Sequence, residues 1–185
     1  MKTAEEMLEF MKLHKLGFGG FSANEKRHFK VLEKQLKPNE DIDVCFMGLH
    51  NYKSGSNHNG YWAYGITKDK IIMTQKRVIG EHVLVVSLRN INDVFMKTGI
   101  TSGILTIDTR DEVFNISTDK NSIRNIHEMV TNKLFEYTEN LHKNVVDGAN
   151  PTNSAVDELI KWKNLLDQGI ITEEEFERKK FEILK

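Results

Sequence analysis

The sequence lacks several features that mark whole classes of protein. Its 185 residues include a single cysteine, Cys45, which excludes an intrachain disulfide framework and a cysteine zinc cluster. No apolar run approaches the roughly 20 residues that a membrane-spanning helix needs. The N-terminus carries Glu5, Glu6 and Glu9 where a secretion signal would need an apolar run. We therefore expect a cytoplasmic protein with a buried, unreactive thiol.

Neither sign of charge is in excess. Lysine and arginine together number 26, and aspartate and glutamate together number 27. A nucleic-acid-binding protein normally shows a basic excess, so this balance predicts no nucleic-acid partner. It also weakens the case for bulk attraction to an anionic membrane.

Motifs that carry enzyme chemistry are missing as well. The sequence contains no nucleophile elbow and no His-Glu-x-x-His pair. The glycine-rich stretch 16–22 follows a predicted helix and not a strand, so we interpret it as a flexible joint and not as a phosphate loop. Asp108, Asp111 and Glu112 lie close together, but at a turn where solvated carboxylates are ordinary. We expect no catalytic residues, no cofactor and no metal site.

The chain is organised around residues 42–141. Seven apolar runs, separated by turn-forming residues, predict strands at 42–50, 61–67, 70–79, 82–88, 91–97, 103–109 and 112–117. In the sixth run, Leu105, Ile107 and Thr109 alternate with polar residues, which is the period of a strand with one dry face. No room remains for crossover helices, so the pattern predicts an antiparallel sheet.

Helices are predicted on both sides of these strands. Apolar residues spaced by threes and fours from Ile123 to Leu141 predict one long amphipathic helix after the sheet. A capping box of Thr3 and Glu6 predicts a first helix over 3–16, and a second runs from Ser22 to Lys37. The first helix has a methionine-rich face, which could bind a membrane interface or a partner. Its three acids favour packing on its own sheet or on a second copy.

Four short stretches carry a family resemblance: Leu36–Ile42, Ile66–Met73, Val86–Val94 and Gly103–Ile107. With the order of the elements, they resemble the pleckstrin-homology-like fold, specifically the bacterial PH or YokE-like family. The resemblance implies an α+β fold, a seven-stranded antiparallel sandwich or half-barrel capped by a C-terminal helix.

The resemblance does not imply a binding site for lipid headgroups in this chain. Many eukaryotic PH domains hold phosphoinositides through basic residues on the first two strands and the intervening loop, where this chain offers Lys53 and little else. His50 and His58 flank that loop, and we interpret them as solvated residues and not as metal ligands. A modest basic patch or an ordinary solvated face explains the remaining cations equally well: Lys76, Arg77, Arg89 and Lys97.

Aromatic residues replace the basic run at this end of the sheet. Tyr61, Trp62 and Tyr64 lie within one predicted strand, and Tyr52 precedes them in the loop. Such residues are often core, but they are also the usual anchors of protein interfaces. We favour a core position for Trp62 because it lies in mid-strand, and we retain Tyr61, Trp62 and Tyr64 as candidate partner-binding residues.

A linker at 144–154 separates a C-terminal unit at 155–185. Its first helix carries Trp162 and Leu165, and Gly169 stands where a left-handed cap would let Ile170 pack back on Leu165. Thr172 and Glu175 form another capping box, after which Phe176 begins the apolar face of a second helix. The pattern predicts a helical hairpin.

The run from Leu165 to Lys180, with its Gly-x-Ile-Thr-x-x-Glu-Phe core, resembles the SHOCT module, a short C-terminal helical domain of bacterial proteins. The resemblance implies that this unit mediates assembly or contacts with a partner and has no catalytic role. About thirty residues cannot bury a sufficient core alone, so the apolar face must meet something else. The candidate partner-binding residues are Trp162, Leu165, Ile170 and Phe176.

Four segments follow: a helical extension at 1–37, a PH-like domain at 38–143, the linker at 144–154 and the hairpin at 155–185. Together, these segments predict a non-enzymatic binding or scaffolding module. It would form a homo-oligomer or bind another protein through the hairpin. The alternative is peripheral recruitment to a lipid membrane, through the end of the sheet or the methionine-rich helix. An enzyme is the third class, since a fold does not exclude activity.

Overall fold

The computed structural model describes residues 1–17, 23–147, 159, 162–163, 166 and 172–183. Within these ranges one antiparallel sheet has the strand order β4-β3-β2-β1-β7-β6-β5. The strands are β1 (Val44–His50), β2 (Tyr61–Ile66), β3 (Lys70–Lys76), β4 (Glu81–Ser87), β5 (Ile91–Thr98), β6 (Ser102–Thr109) and β7 (Val113–Asp119). The helices are α1 (Ala4–His14), α2 (Ala23–Glu33), α3 (Lys120–Asp147) and α4 (Glu173–Ile183).

The seven predicted strands are all present, and the predicted α+β architecture, an antiparallel sheet followed by a helix, is confirmed. Several boundaries shift by one or two residues, and two were wrong by more: β3 ends at Lys76 and not at Ile79, and α2 ends at Glu33 and not at Lys37. The backbone N–H of Arg77 donates to the carbonyl oxygen of Gly80 at 3.2 Å, which closes a turn. Gly80 adopts a left-handed φ of 83°, which glycine accepts without steric cost.

Helix α3 follows the last strand and packs on one face of the sheet. The Asp119 carboxylate accepts the backbone N–H groups of Asn121 and Ser122 at 3.1 and 3.0 Å, which satisfies donors that a helix start leaves free. Ile123 then lies against Gly103. A Cβ atom added to Gly103 would lie 2.5 Å from Cγ2 of Ile123. Further residues of the predicted apolar face are also fully buried: Ile126 and Val130.

Helices α1 and α2 lie on the opposite face, over β1, β2 and β3. The Cys45 thiol on β1 donates to the carbonyl oxygen of Met7 at 3.2 Å. Leu32 of α2 lies directly over Gly65 of β2, and the Thr74 hydroxyl of β3 donates to the carbonyl oxygen of His28 at 3.0 Å. The first two helices therefore pack on their own sheet, so both of its faces carry helices.

Strands β1 and β7 share only two register pairs, Leu49 with Ser117 and His50 with Ile116, so they separate beyond that point. The chain after α1, at residues 16–17, lies beside this separation. Here the Met47 N–H donates to the carbonyl oxygen of Leu16 at 3.2 Å. The Ser122 hydroxyl donates to the carbonyl oxygen of Gly17 at 2.9 Å. This segment thus connects β1 to α3.

The described chain forms two compact units, Met1–Thr138 and Glu139–Lys185. Helix α3 extends to Asp147, so residues 144–147 of the predicted linker are helical. In the second unit, residues 159, 162, 163 and 166 are helical and α4 is complete as far as Ile183. The predicted cap at Gly169 and the joint at 18–22 lie outside the described residues. None of the helices described is both long and apolar enough to cross a bilayer.

Candidate functional site

A cluster of buried rings fills one end of the first unit. His50 stacks on Trp62 with ring centroids 4.3 Å apart, and its Nδ1 atom lies 2.8 Å from the Tyr64 hydroxyl oxygen. Tyr64 in turn stacks on Phe46 at 4.7 Å. Burial lowers the pKa of His50 to about 4 and raises the pKa of Tyr64 well above its usual range. Both side chains are therefore neutral core residues at physiological pH.

This arrangement confirms the core position favoured for Trp62 and corrects the expectation for His50. Only 4% of Trp62 is exposed and none of Tyr64, so both side chains build the core of this chain, and their retention as partner-binding residues loses its support. His50 was expected to be solvated beside the loop, but at the predicted end of β1 its side chain is buried among these rings. Tyr61, which alternates with Trp62 along β2, is 45% exposed and remains on the surface.

Above the buried rings lies a polar cleft of about 630 Å³. It is lined by the loop before β2 and by the facing ends of β3 and β4, through His58, Asn59, Gly60, Trp62, Gln75, Arg77 and His82. The Gln75 amide holds the loop in place by donating to the carbonyl oxygens of Asn59 and Tyr61, at 2.9 and 3.1 Å. The indole N–H of Trp62 also donates to the Asn59 carbonyl oxygen, at 3.3 Å.

The described residues that line the cleft are cationic or neutral, and none of them is a carboxylate. The backbone N–H of Gly60 donates to His58 Nδ1 at 3.0 Å, so a neutral His58 carries its proton on Nε2, where it is a donor. The Arg77 guanidinium lies 3.4 Å from His82 Nε2. Glu81 is close in sequence, but its carboxylate contacts Lys34 and Lys76. The cleft can therefore donate hydrogen bonds to a small anion.

An apolar turn adjoins the cleft. Val78 and Ile79 follow Arg77 directly and are almost completely exposed. Turns usually carry small or polar residues, so two consecutive branched aliphatic side chains at this position are unusual. The sequence contained this signal, but the pair was assigned to the third strand. The contribution of His82 to the cleft was also missed, because it depends on the pairing of Gln75 with His82 across β3 and β4.

The second unit presents a different surface, built from aromatic rings and lysines. A cleft of about 320 Å³ separates Trp162 from the face of α4 that carries Glu175, Arg178, Lys179 and Glu182. The Lys179 ammonium lies 5.8 Å from the Trp162 ring centroid and 2.6 Å from the Glu182 carboxylate. A cation held over an indole ring in this way is modestly attractive.

Phe176 is half-buried between two lysines, with Lys163 and Lys180 ammonium groups 5.9 and 6.0 Å from its ring centroid. Its helix begins at the predicted capping box, in which the Glu175 N–H donates to the Thr172 hydroxyl at 3.3 Å. The Thr172 N–H donates in return to the Glu175 carboxylate at 2.9 Å. Trp162 and Phe176 thus belong to one unit, whereas Leu165 and Ile170 lie outside the described residues.

Cys45 is buried, and burial raises the pKa of its thiol, which keeps it protonated. Within the described ranges, no group of three potential metal ligands comes together. The candidate sites are therefore the cleft of the first unit, with its apolar turn, and the aromatic surface of the second.

Comparison with known families matches both units. A family model described as a bacterial PH domain matches residues 36–132, just over half of the chain. A second, described as a short C-terminal domain, or SHOCT, matches residues 157–184. No curated protein matches the chain.

Proposed function

Because this chain belongs to the bacterial PH domain family and carries a SHOCT domain, we propose that it is a non-enzymatic binding or scaffolding module. The SHOCT domain would hold copies of the chain together or bind another protein. The sheet domain, with α1 and α2 on one face, would be the body that this element recruits. A cytoplasmic location stays a prediction.

The aromatic surface of the second unit is the observation that carries this proposal. Trp162 and Phe176 are only half-buried, and Phe181 is 69% exposed on α4. Aromatic side chains are enriched at the centre of protein interfaces and contribute much of their binding energy. Covering them would release water from apolar surface at roughly 25 cal/mol per Å². A protein surface is therefore the expected occupant.

Solution mass tests this assignment. Light scattering would compare the full chain with a version ending at Asp147 and with a Phe181→Ser variant. We expect the full chain to be an oligomer, and both the version ending at Asp147 and the Phe181→Ser variant to be monomers. A Val113→Ser variant is the control, because Val113 is an exposed apolar residue of the first unit. If the full chain is monomeric, self-assembly is wrong and a different protein becomes the expected partner. An oligomer that survives truncation would assign assembly to residues 1–147, that is, to the sheet domain or the helices around it.

Membrane recruitment is the second candidate, and the turn beside the polar cleft favours it. Val78 and Ile79 could enter the interfacial region of a bilayer while Arg77 stays at the level of the headgroups. The donors of the cleft suit a phosphate oxygen. A single apolar anchor gives only marginal membrane binding, so attachment needs a second contribution. Here the apolar turn and the hydrogen-bond donors of the cleft would supply the two.

Vesicle sedimentation would test this second candidate. The double variant Val78→Ser, Ile79→Ser should lose binding to vesicles that contain anionic phospholipid. Ile100→Ser should not, because Ile100 is equally exposed but lies in the turn between β5 and β6. Arg77→Gln should reduce binding and weaken its dependence on salt. Absence of binding by the wild type at low salt would eliminate the candidate.

A further inference from the structure

The solvent-facing side of α2 carries a row of cations, Arg27, Lys30 and Lys34, which we call the cation row. These residues follow one another at intervals of three and four, so they lie on one face of the helix and of the turn that ends it, and all three are exposed. The opposite face of α2 is apolar, and its Phe29 and Leu32 are fully buried. The cation row is a local feature, because the whole chain has a net charge of −1.

The acids closest to the cation row are turned to other partners. Glu33 faces α1, where its carboxylate accepts the backbone N–H of the first residue of that helix at 2.9 Å. Glu25 lies beside the start of β2, where burial and then this carboxylate raise the pKa of Tyr61. Glu5 of α1 is paired with Lys26. The exposed face of α2 therefore keeps an excess of positive charge.

Ion pairs connect the cation row to the apolar turn of Val78 and Ile79. The ammonium groups of Lys34 and Lys76 lie 2.9 and 3.3 Å from the same oxygen of Glu81, so two cations share one carboxylate. The turn at 77–80 joins Lys76 directly to Glu81. The cation row and the exposed aliphatic side chains are therefore neighbours in the first unit.

We propose that α2 and the apolar turn form one surface that binds an anionic phospholipid bilayer, with the turn in the interfacial region and the cation row over the headgroups. This inference rests on the membrane candidate above and extends it, because it names the charge of the lipid and the helix that senses it. Helix α2 precedes residues 36–132, which the family model matches, so the surface includes an element outside the PH domain.

The combination of positive charge with exposed aliphatic side chains favours a bilayer over other anionic partners. Nucleic acid offers phosphates but no apolar phase for Val78 and Ile79, which are almost completely exposed. An anionic bilayer offers both. It attracts cations over a Debye length of about 8–10 Å, so the cation row need not touch the lipid. Each lysine or arginine near such a surface strengthens attachment by about fivefold.

Vesicle sedimentation of the full chain tests this surface. The variant Arg27→Gln, Lys30→Gln removes two charges from the cation row. Its matched control, Lys97→Gln with Arg110→Gln, removes two exposed charges from the β5–β6 side of the sheet, so both variants have the same net charge. On phosphatidylglycerol-containing vesicles at low salt, we expect the cation-row variant to bind at least about tenfold more weakly than the wild type, and the control less than about twofold. Circular dichroism would establish that both are folded.

The wild type should lose binding as salt is raised and should not bind vesicles of phosphatidylcholine alone. Equal binding to the two kinds of vesicle would overturn the inference. An equal loss in the two charge variants would also overturn it, because net charge and not α2 would then drive attachment.

The outcomes separate this inference from the membrane candidate itself. If Val78→Ser with Ile79→Ser abolishes binding but the cation-row variant binds like its control, membrane attachment stands and the role of α2 is wrong. If the wild type binds no vesicle at low salt, both are wrong. Retention of polyglutamate by that wild type, and not by the cation-row variant, would then identify an acidic protein segment as the partner of α2.

Discussion

His50 Nδ1 lies 2.8 Å from the Tyr64 hydroxyl oxygen, in a core that excludes both side chains from water. This hydrogen bond places a titratable imidazole between aromatic rings. The neighbouring rings are Trp62 and Phe114, with centroids 4.3 and 5.6 Å from that of His50. Protonating His50 would place a charge among apolar rings, so the folded state disfavours the protonated imidazole.

Stability should therefore fall in acid. Burial lowers the pKa of His50 from 6.5 to about 4, so the unfolded state binds more protons between these values. The contribution of His50 is fully present above pH 6.5 and is lost as the pH falls toward 4. The full loss is on the order of 3 kcal/mol, since each pKa unit corresponds to about 1.4 kcal/mol. Urea denaturation across this range measures it.

A His50→Gln variant should show a flatter dependence of unfolding free energy on pH between 6.5 and 4, although the variant is less stable overall. His82→Gln is the control, because it makes the same substitution at a histidine that is exposed in the polar cleft and not buried in the core. Equal slopes for the wild type and His50→Gln would contradict the assignment of His50 as a buried neutral residue.

Helix α1 is part of the folded body, and this can be measured. Met7 is fully buried between α1 and the sheet, whereas Leu13 on the same helix is 77% exposed. Met7→Ala should lower the free energy of unfolding by about 2–5 kcal/mol because it leaves a cavity. Leu13→Ala should change it by less than about 0.5 kcal/mol. Similar effects of the two substitutions would indicate that α1 is not docked on the sheet.

Close packing of α2 on β2 depends on a glycine. A Cβ at Gly65 would lie 2.7 Å from Ile42 Cδ1 and 2.8 Å from Leu32 Cδ1. Gly65→Ala should therefore destabilise the protein by about 1–3 kcal/mol through overpacking. Gly55→Ala is the matched control, because nothing lies within 4 Å of its position in the loop before β2. Thermal denaturation of both variants is sufficient, and a neutral Gly65→Ala would mean that α2 can shift away from the sheet.

The sequence predicted the strands well because each has a local signal. Runs such as Leu105, Ile107 and Thr109 show the period of a strand, and turn residues separate the runs. The end of β3 was misplaced because Val78 and Ile79 are as apolar as strand residues. Val78 and Ile79 form a turn because of Gly80, which follows them, and because of the register between β3 and β4. The amino-acid composition of the segment does not reveal that register.

The candidate sites were harder to predict because they depend on contacts between distant residues. His50 and His58 look alike in sequence, but one is buried among rings and the other lines a cleft. The alternation of Tyr61 and Trp62 predicts that they face opposite ways, but not which one is buried. The short capping motif at Thr172 and Glu175 was predictable because all of its partners lie within four residues.

The Cys45 thiol offers a sensitive reporter of α1. Its Sγ atom donates to the carbonyl oxygen of Met7 at 3.2 Å, and burial raises the pKa of the thiol, so both access and ionisation oppose its modification. Labelling by a thiol reagent should be slow in the native protein and fast in denaturant. The native rate should measure how often α1 leaves the sheet.

Met7→Ala should then accelerate native labelling by about 30-fold or more, since 1.4 kcal/mol corresponds to a factor of ten. Leu13→Ala should leave the rate unchanged. The single cysteine makes the result easy to interpret, because no other thiol in the sequence competes for the reagent. If Cys45 in the wild type reacts as fast as in denaturant, the thiol is accessible and α1 does not cover β1. If Met7→Ala loses stability without faster labelling, access to Cys45 requires opening of a part of the sheet that Met7 does not stabilise.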